Sequence, residues 1–268
     1  MSNTYPYAYE ICTDMDRRGE TNERESLEGF SPLLYLTEAV GILLIVLVGV
    51  WTFEFRGGLA WSSNPALQFN WHPLLMTIGF VFLFANGILI YRSQRTVRKR
   101  RLKLIHAGTM IFALLLSLVG SVAVFEFHNA LNIPNLYSLH SWVGLTSVIL
   151  YLCQWLAGFV SFLYPMIQQP LRAAYLPIHV YFGAAAFVGS VASCLLGLTE
   201  KAIFSLTNPT AANPTSVPYS KLPPEGILIN VIGLVFVVFG GLTIYLVSQE
   251  RYRRLPRPED DLLLSRRN

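Results

Sequence analysis

WHPLLMTIGFVFLFANGILI, Trp71–Ile90, is an apolar run with no Asp, Glu, Lys or Arg and one histidine, His72, near its start. A helix crossing a hydrocarbon core of about 30 Å needs about 20 such residues. Three more runs repeat the design downstream. Ile105–Val124 opens on His106, His140–Leu163 on His140 and Ile178–Leu198 on His179. Two flanking runs, Leu33–Phe53 and Gly226–Leu246, carry no histidine. Transmembrane β-strands are nearer 10 residues long and alternate strictly; these runs do neither. The expected fold is therefore an all-α membrane protein with six transmembrane helices, in which helices 2–5 form a central four-helix bundle.

Composition agrees. Of 268 residues, 53% are hydrophobic and 13% charged, and mean hydropathy is +0.46, too apolar for an ordinary soluble domain. The net charge of +4 is not a nucleic-acid signal, because the basic residues lie between and beyond the apolar runs. With the N-terminus placed in the cytoplasm, 17 Lys and Arg fall on that side and three (Arg56, Lys201, Lys221) on the other. The positive-inside rule then puts both termini in the cytoplasm.

Residues 1–30 read as a solvated, poorly ordered cytoplasmic tail, 31–250 as the six-helix domain and 251–268 as a second cytoplasmic tail. No basic start leads into an apolar run, so no cleavable signal peptide is expected. Cys12, Cys153 and Cys194 are far apart and form no CxxC, so no disulfide framework is expected. RGGLAWSSNP (Arg56–Pro65), ALNIPN (Ala130–Asn135) and the proline-rich Asn208–Pro224 read as non-cytoplasmic loops.

The four histidines carry the chemistry. In an up-down bundle, helices 2 and 4 start at the non-cytoplasmic face, so His72 and His140 share one depth. Helices 3 and 5 start at the cytoplasmic face, so His106 and His179 share another. Ionisable groups inside a membrane are costly and need partners. Each pair can offer two imidazole nitrogens to the axial positions of one haem iron, as bundle cofactor sites do. Bis-histidine ligation suits electron transfer. Zinc wants about four ligands in one tetrahedron, and these pairs sit near opposite faces. Gly79, Gly108, Gly144 and Gly183, close to the four histidines, fit a flat ring but equally fit close helix packing.

The chain resembles the cytochrome b561 family, six-helix, two-haem transmembrane ascorbate-dependent reductases, from about Phe53 to Arg254. FNWHP (Phe69–Pro73), IHAG (Ile105–Gly108), NLYSLHSW (Asn135–Trp142), LRAAYLPIHV (Leu171–Val180), GLTEK (Gly197–Lys201) and PPEG (Pro223–Gly226) carry the resemblance. FHN (Phe127–Asn129) and IFSL (Ile203–Leu206) point to the animal ferric-reductase and lysosomal branches. The resemblance implies two haems b, one on His72 and His140 and one on His106 and His179. It implies ascorbate as cytoplasmic electron donor, bound by Lys99, Lys103 and Arg172. Arg92 and Arg253 would meet haem on the cytoplasmic side. Asn135, Leu136, Tyr137 and Ser138 would line the outer haem pocket, with Glu200 as a further contact. His128 would serve a second substrate site, helped by Glu225. The acceptor would be a ferric chelate or monodehydroascorbate. Further partners are the lipid bilayer and a second copy in a homodimer, and no nucleic acid. Glu259–Leu264 resembles an acidic dileucine signal, which favours an endosomal or lysosomal membrane over a secretory vesicle or the plasma membrane.

Two other readings compete. One is a haem-free transporter or channel with a histidine proton relay, which needs a polar path through the bilayer. The other is a membrane adaptor whose activity lies in its tails.

Overall fold

The structure, a computed structural model, describes residues 28–164, 167–210 and 214–254. The N-terminal tail up to residue 27, with Cys12, and the sorting-like Glu259–Leu264 stretch lie outside the described residues. Six helices are long and apolar enough to cross a bilayer: α1 Phe30–Phe55, α2 Pro65–Ser93, α3 Lys99–Ala130, α4 Leu139–Leu163, α5 Gln169–Ser205 and α6 Pro224–Ser248. No strand occurs among the described residues.

The ends follow from local chemistry. Asn64 caps α2, accepting from the N–H of Ala66 and Leu67 at 3.1 and 3.4 Å, with Pro65 at the first helical position. The turn before it uses Gly57 and Gly58 at φ 77° and 88°, a region glycine enters without steric cost. The Asn70 amide donates to the carbonyls of Arg56 and Gly58 and fastens this turn to α2. Ser138 caps α4 through its hydroxyl, which accepts from Ser141 N–H at 3.3 Å. The last loop is closed where Tyr219 N–H donates to Leu206 O at 2.8 Å.

Three of the six helices, α2, α3 and α5, extend beyond the apolar runs by a turn or more at one or both ends. α3 and α5 contain 32 and 37 residues, about 48 and 56 Å at roughly 1.5 Å per residue. Their first turns therefore reach past the bilayer core and carry Lys99, Lys103 and Arg172. Pro177 sits inside α5 without ending it. One main-chain bond is lost there, and membrane bundles tolerate such sites. The C-terminal parts of α1 and α4 and the middle of α2 widen to π-helix at Trp51–Phe55, Phe159–Leu163 and Met76–Leu83.

α2 packs on α3 and α4 on α5 along their lengths, α3 also touches α4, and α5 also touches α2. The four close into a ring in which α2 faces α4 and α3 faces α5 across the middle. α1 and α6 pack together on the α2/α5 side. Small residues set the close approaches. A Cβ on Gly79 would lie 2.8 Å from Leu116 Cβ and 2.9 Å from the Ala113 carbonyl, and one on Gly144 would lie 2.8 Å from Ser193 Oγ. These two glycines serve helix packing. Gly108 and Gly183 have nothing within 4 Å of such a Cβ. Large apolar side chains such as Leu43, Phe112, Leu115, Ile149 and Leu234 are exposed, as a lipid-facing surface requires.

Candidate functional site: two histidine pairs

The ring brings the four histidines together in the two expected combinations. His72 and His140 have ring centroids 5.9 Å apart, and His106 and His179 6.3 Å. Two imidazoles that share one metal, each with a metal–nitrogen bond of ~2.0 Å, would keep their rings roughly 6 Å apart. Both separations fit an iron between the rings.

The Nδ1 atoms support the same use. His72 Nδ1 lies 3.1 Å from Gly120 O, His106 Nδ1 2.8 Å from Gly87 O, and His140 Nδ1 2.8 Å from Ser193 O. An Nδ1–H donated to a carbonyl leaves Nε2 as the lone-pair nitrogen and holds the ring in place, the usual outer-shell arrangement of metal-bound histidine. Glycines admit the rings. A Cβ on Gly197 would come within 2.8 Å of His140 Cε1, and one on Gly158 within 3.0 Å of His179 Cε1. The residues present therefore fit a bis-histidine haem at each pair. Among the described residues, no group of three or more His, Cys, Asp or Glu stands together for a bare metal ion, so the zinc reading lacks ligands.

The pairs are held at two heights. On α3, His106 and the carbonyl of Gly120 that meets His72 are fourteen residues apart; on α5, His179 and Ser193 are also fourteen apart. That is about 21 Å of helix rise. The space between is apolar and aromatic. Tyr151 is 3% exposed and packs edge-on to Phe84 at 4.5 Å and to Phe80 at 5.5 Å, while Phe84 meets Phe187 at 5.5 Å. The polar groups at this depth are engaged locally: Ser190 donates to Phe187 O, and Asn86 to Phe82 O and Glu38. The ring cluster of Phe80, Phe84, Tyr151 and Phe187 thus fills the middle of the bundle between the two pairs. Glu38 itself, on α1, meets Asn86 at 3.3 Å.

At the basic end, where α2 meets α3 and α6 terminates, Lys103 Nζ donates to Phe162 O at 3.1 Å. It thereby sits beside the His179 ring, which Phe162 faces at 5.4 Å. Tyr91 flanks His106 and Tyr175 flanks His179. Trp155 Nε1 donates to Ala107 O, next to His106. Lys99 is exposed and Arg172 half-buried in the first turns of α3 and α5. Arg92 donates to the carbonyls of Val247 and Gln249 at the end of α6, a placement the sequence did not suggest. Arg253 is exposed, and its N–H donates to Glu250 O.

At the far end, Asn135 donates to Asn129 Oδ1 at 2.9 Å and the Leu136 carbonyl accepts from Trp142 Nε1 at 3.0 Å. Tyr137 is 56% exposed. Together with Ser138 they shape the turn into α4, two residues from His140. Glu200 is half-buried at the end of α5. His128 packs on Phe127, whose ring meets Phe69 at 5.1 Å, and Phe69 lies 6.3 Å from His72. Glu225 does not stand free beside His128: it pairs with Arg56 and accepts from Trp51 Nε1 at 2.8 Å. Lys201 holds its Nζ over the Phe69 ring at 4.0 Å. Sequence reading missed Lys201, Gly158 and Gly197; the GLTEK stretch containing two of them was the available signal.

The chain matches a family model described as eukaryotic cytochrome b561 over residues 71–205. It is 44% identical over 243 residues to the plasma membrane ascorbate-dependent reductase CYBRD1 of Xenopus laevis, covering 90% of this chain and 82% of that one. It is 42% identical over 227 residues to the transmembrane ascorbate-dependent reductase CYB561 of Homo sapiens, covering 85% and 86%. It is 41% identical over 235 residues to the lysosomal membrane ascorbate-dependent ferrireductase CYB561A3 of Danio rerio, covering 87% and 93%.

Proposed function

The chain belongs to the eukaryotic cytochrome b561 family, and from that premise we propose that it is a transmembrane oxidoreductase carrying electrons from cytoplasmic ascorbate to an acceptor across the membrane. The observation that carries the proposal is the geometry of the two pairs. Each has rings an iron's span apart, and three of the four rings turn Nδ1 toward a carbonyl. His72 with His140 and His106 with His179 would each hold one haem b, giving two. Haem, when bound, supplies reversible one-electron chemistry.

The chain's residues do the rest. The basic end is the cytoplasmic end, by the positive-inside distribution. Lys99, Lys103 and Arg172 there attract the ascorbate monoanion, and the Phe162 carbonyl fixes Lys103 beside His179. Each ascorbate gives up one electron and one proton and leaves as monodehydroascorbate. At the far end one ferric ion gains one electron and becomes ferrous, or one monodehydroascorbate gains an electron and a proton. His128 and the turn Asn135–Ser138 border that acceptor. Between the ends the chain packs Phe80, Phe84, Tyr151 and Phe187 ring against ring.

Full-length protein in ascorbate-loaded vesicles tests this. About two haems per chain and reduction of an external ferric chelate or monodehydroascorbate are expected. His106→Ala and His179→Ala should each abolish electron uptake from ascorbate. Substrate flux by haem-free folded protein would overturn the proposal.

A further inference from the structure

His72, His106 and His140 each have an acceptor for Nδ1, but His179 Nδ1 is buried without a hydrogen-bond partner. The far pair shows where an acceptor belongs. On α5, Gly197 lies against the His140 ring, and the acceptor, the main-chain carbonyl of Ser193, stands four residues earlier on the same helix face. Ser193 also places its hydroxyl 3.2 Å from that Nδ1. On α4, Gly158 lies against the His179 ring. Four residues earlier is Gln154. Its Oε1 is buried and unpartnered, and among the described residues it is the one buried side-chain oxygen in that state. His179 Nδ1 on α5 and Gln154 Oε1 on α4 are thus an orphan donor and an orphan acceptor on two packed helices, and Gln154 stands to Gly158 in sequence as Ser193 stands to Gly197.

The geometry points to Gln154 as the positioning residue for His179: its Oε1 accepts the Nδ1–H, directly or through one buried water, and so turns Nε2 toward His106. This inference rests on the haem-ligand reading of the pairs. An acceptor on Nδ1–H makes the imidazole a more basic ligand, which favours the ferric state. Gln154 therefore holds down the midpoint potential of the haem nearest the ascorbate end, while Ser193 does the same for the other.

The test is spectroscopic titration of each haem's midpoint in full-length protein carrying Gln154→Leu or Gln154→Glu. Gln154→Leu is expected to raise the midpoint of the cytoplasmic-side haem and leave the other where it was. Gln154→Glu, a stronger acceptor, is expected to lower it. An unmoved midpoint in Gln154→Leu, or equal movement of both haems, overturns the inference. If Gln154→Leu loses that haem, Gln154→Glu decides, and loss there too overturns it. His179→Ala separates the two levels: if it keeps the cytoplasmic-side haem, the ligand reading has failed and not the role of Gln154.

Discussion

Gly197 lies so close to His140 that a Cβ there would be 2.8 Å from Cε1 and 2.9 Å from Nδ1. Real Cβ contacts do not reach that distance, so Gly197→Ala must push the ring or part α4 from α5. Overpacking of this kind costs about 1–3 kcal/mol, and the ring it displaces is a proposed ligand. Gly197→Ala should lose most of the far-side haem and keep the other. Gly158→Ala, where the nearest ring atom is 3.0 Å away, should do the converse more mildly. Gly241→Ala meets nothing within 4 Å and should match the parent. Haem content per chain, read from reduced spectra, checks all three.

Tyr151 donates its hydroxyl to Met110 O at 2.8 Å. Within α3 that carbonyl already has the helical N–H of Leu114 as its regular partner, so removing the hydroxyl strands no acceptor. Tyr151→Phe should cost only about 0.5–1.5 kcal/mol. Tyr151→Ala opens a cavity between Phe80, Phe84 and Phe187 and should cost about 3–5 kcal/mol. Thermal unfolding in detergent should rank parent, Tyr151→Phe and Tyr151→Ala in that order. Equal losses in the two variants would mean that the hydroxyl, not the ring, carries the site.

The six helices and the pairing of the histidines were legible because both follow from simple periodicities. Hydropathy over about 20 residues marks each crossing, and alternation of direction fixes which histidines share a height. What stayed hidden is tertiary. The carbonyls of Gly87, Gly120 and Ser193 that orient the rings belong to partner helices, and no local signal names them. Helix ends were underread because hydropathy reports where lipid lies, whereas α3 and α5 continue as helix through charged turns. Sequence distance left Gly79 and Gly144 open between ring sites and helix packing; contact assigns them to packing and brings Gly158 and Gly197 against the rings. The resemblance put Arg92 at the cytoplasmic haem; its contacts with the carbonyls that end α6 are made between helices, and no local signal names them.

Glu225 ties α1 to α6 by pairing with Arg56 and accepting from Trp51 Nε1. The side chains of the pair are 19% and 14% exposed, so water screens it only in part. Glu225→Ala leaves Arg56 without its carboxylate and should cost roughly 2 kcal/mol, below the 3–5 kcal/mol of fully buried pairs. Arg56→Leu combined with Glu225→Leu should be less damaging than Glu225→Ala alone, because no charge is stranded. A double-mutant cycle on the unfolding midpoint reads the coupling. Coupling near zero would reduce the pair to a surface contact.

Arg92 donates to the Val247 and Gln249 carbonyls just where α6 runs out of intrahelical partners. The last carbonyls of a helix need donors, and a cation there also meets the negative end of the helix dipole. Arg95 extends the clasp by donating to Tyr252 O, while the Tyr252 ring is buried against Phe30 at 5.1 Å. Arg92→Ala should therefore free the segment after Ser248. Charge-assisted bonds of this type are worth about 1.5–3 kcal/mol each, and a loss of about 1.4 kcal/mol already raises local opening tenfold. Trypsin cleavage at Arg251, Arg253 and Arg254 should accelerate by at least that factor, with both haem midpoints unmoved. If Arg92 instead meets a propionate, the cytoplasmic-side midpoint should fall on its removal, because an anion would lose its cation, and cleavage should stay slow. Arg92→Lys sharpens the choice. A lysine keeps the charge but cannot span two carbonyls with one planar fork, so it should restore the potential in the second case and leave the tail cleavable in the first.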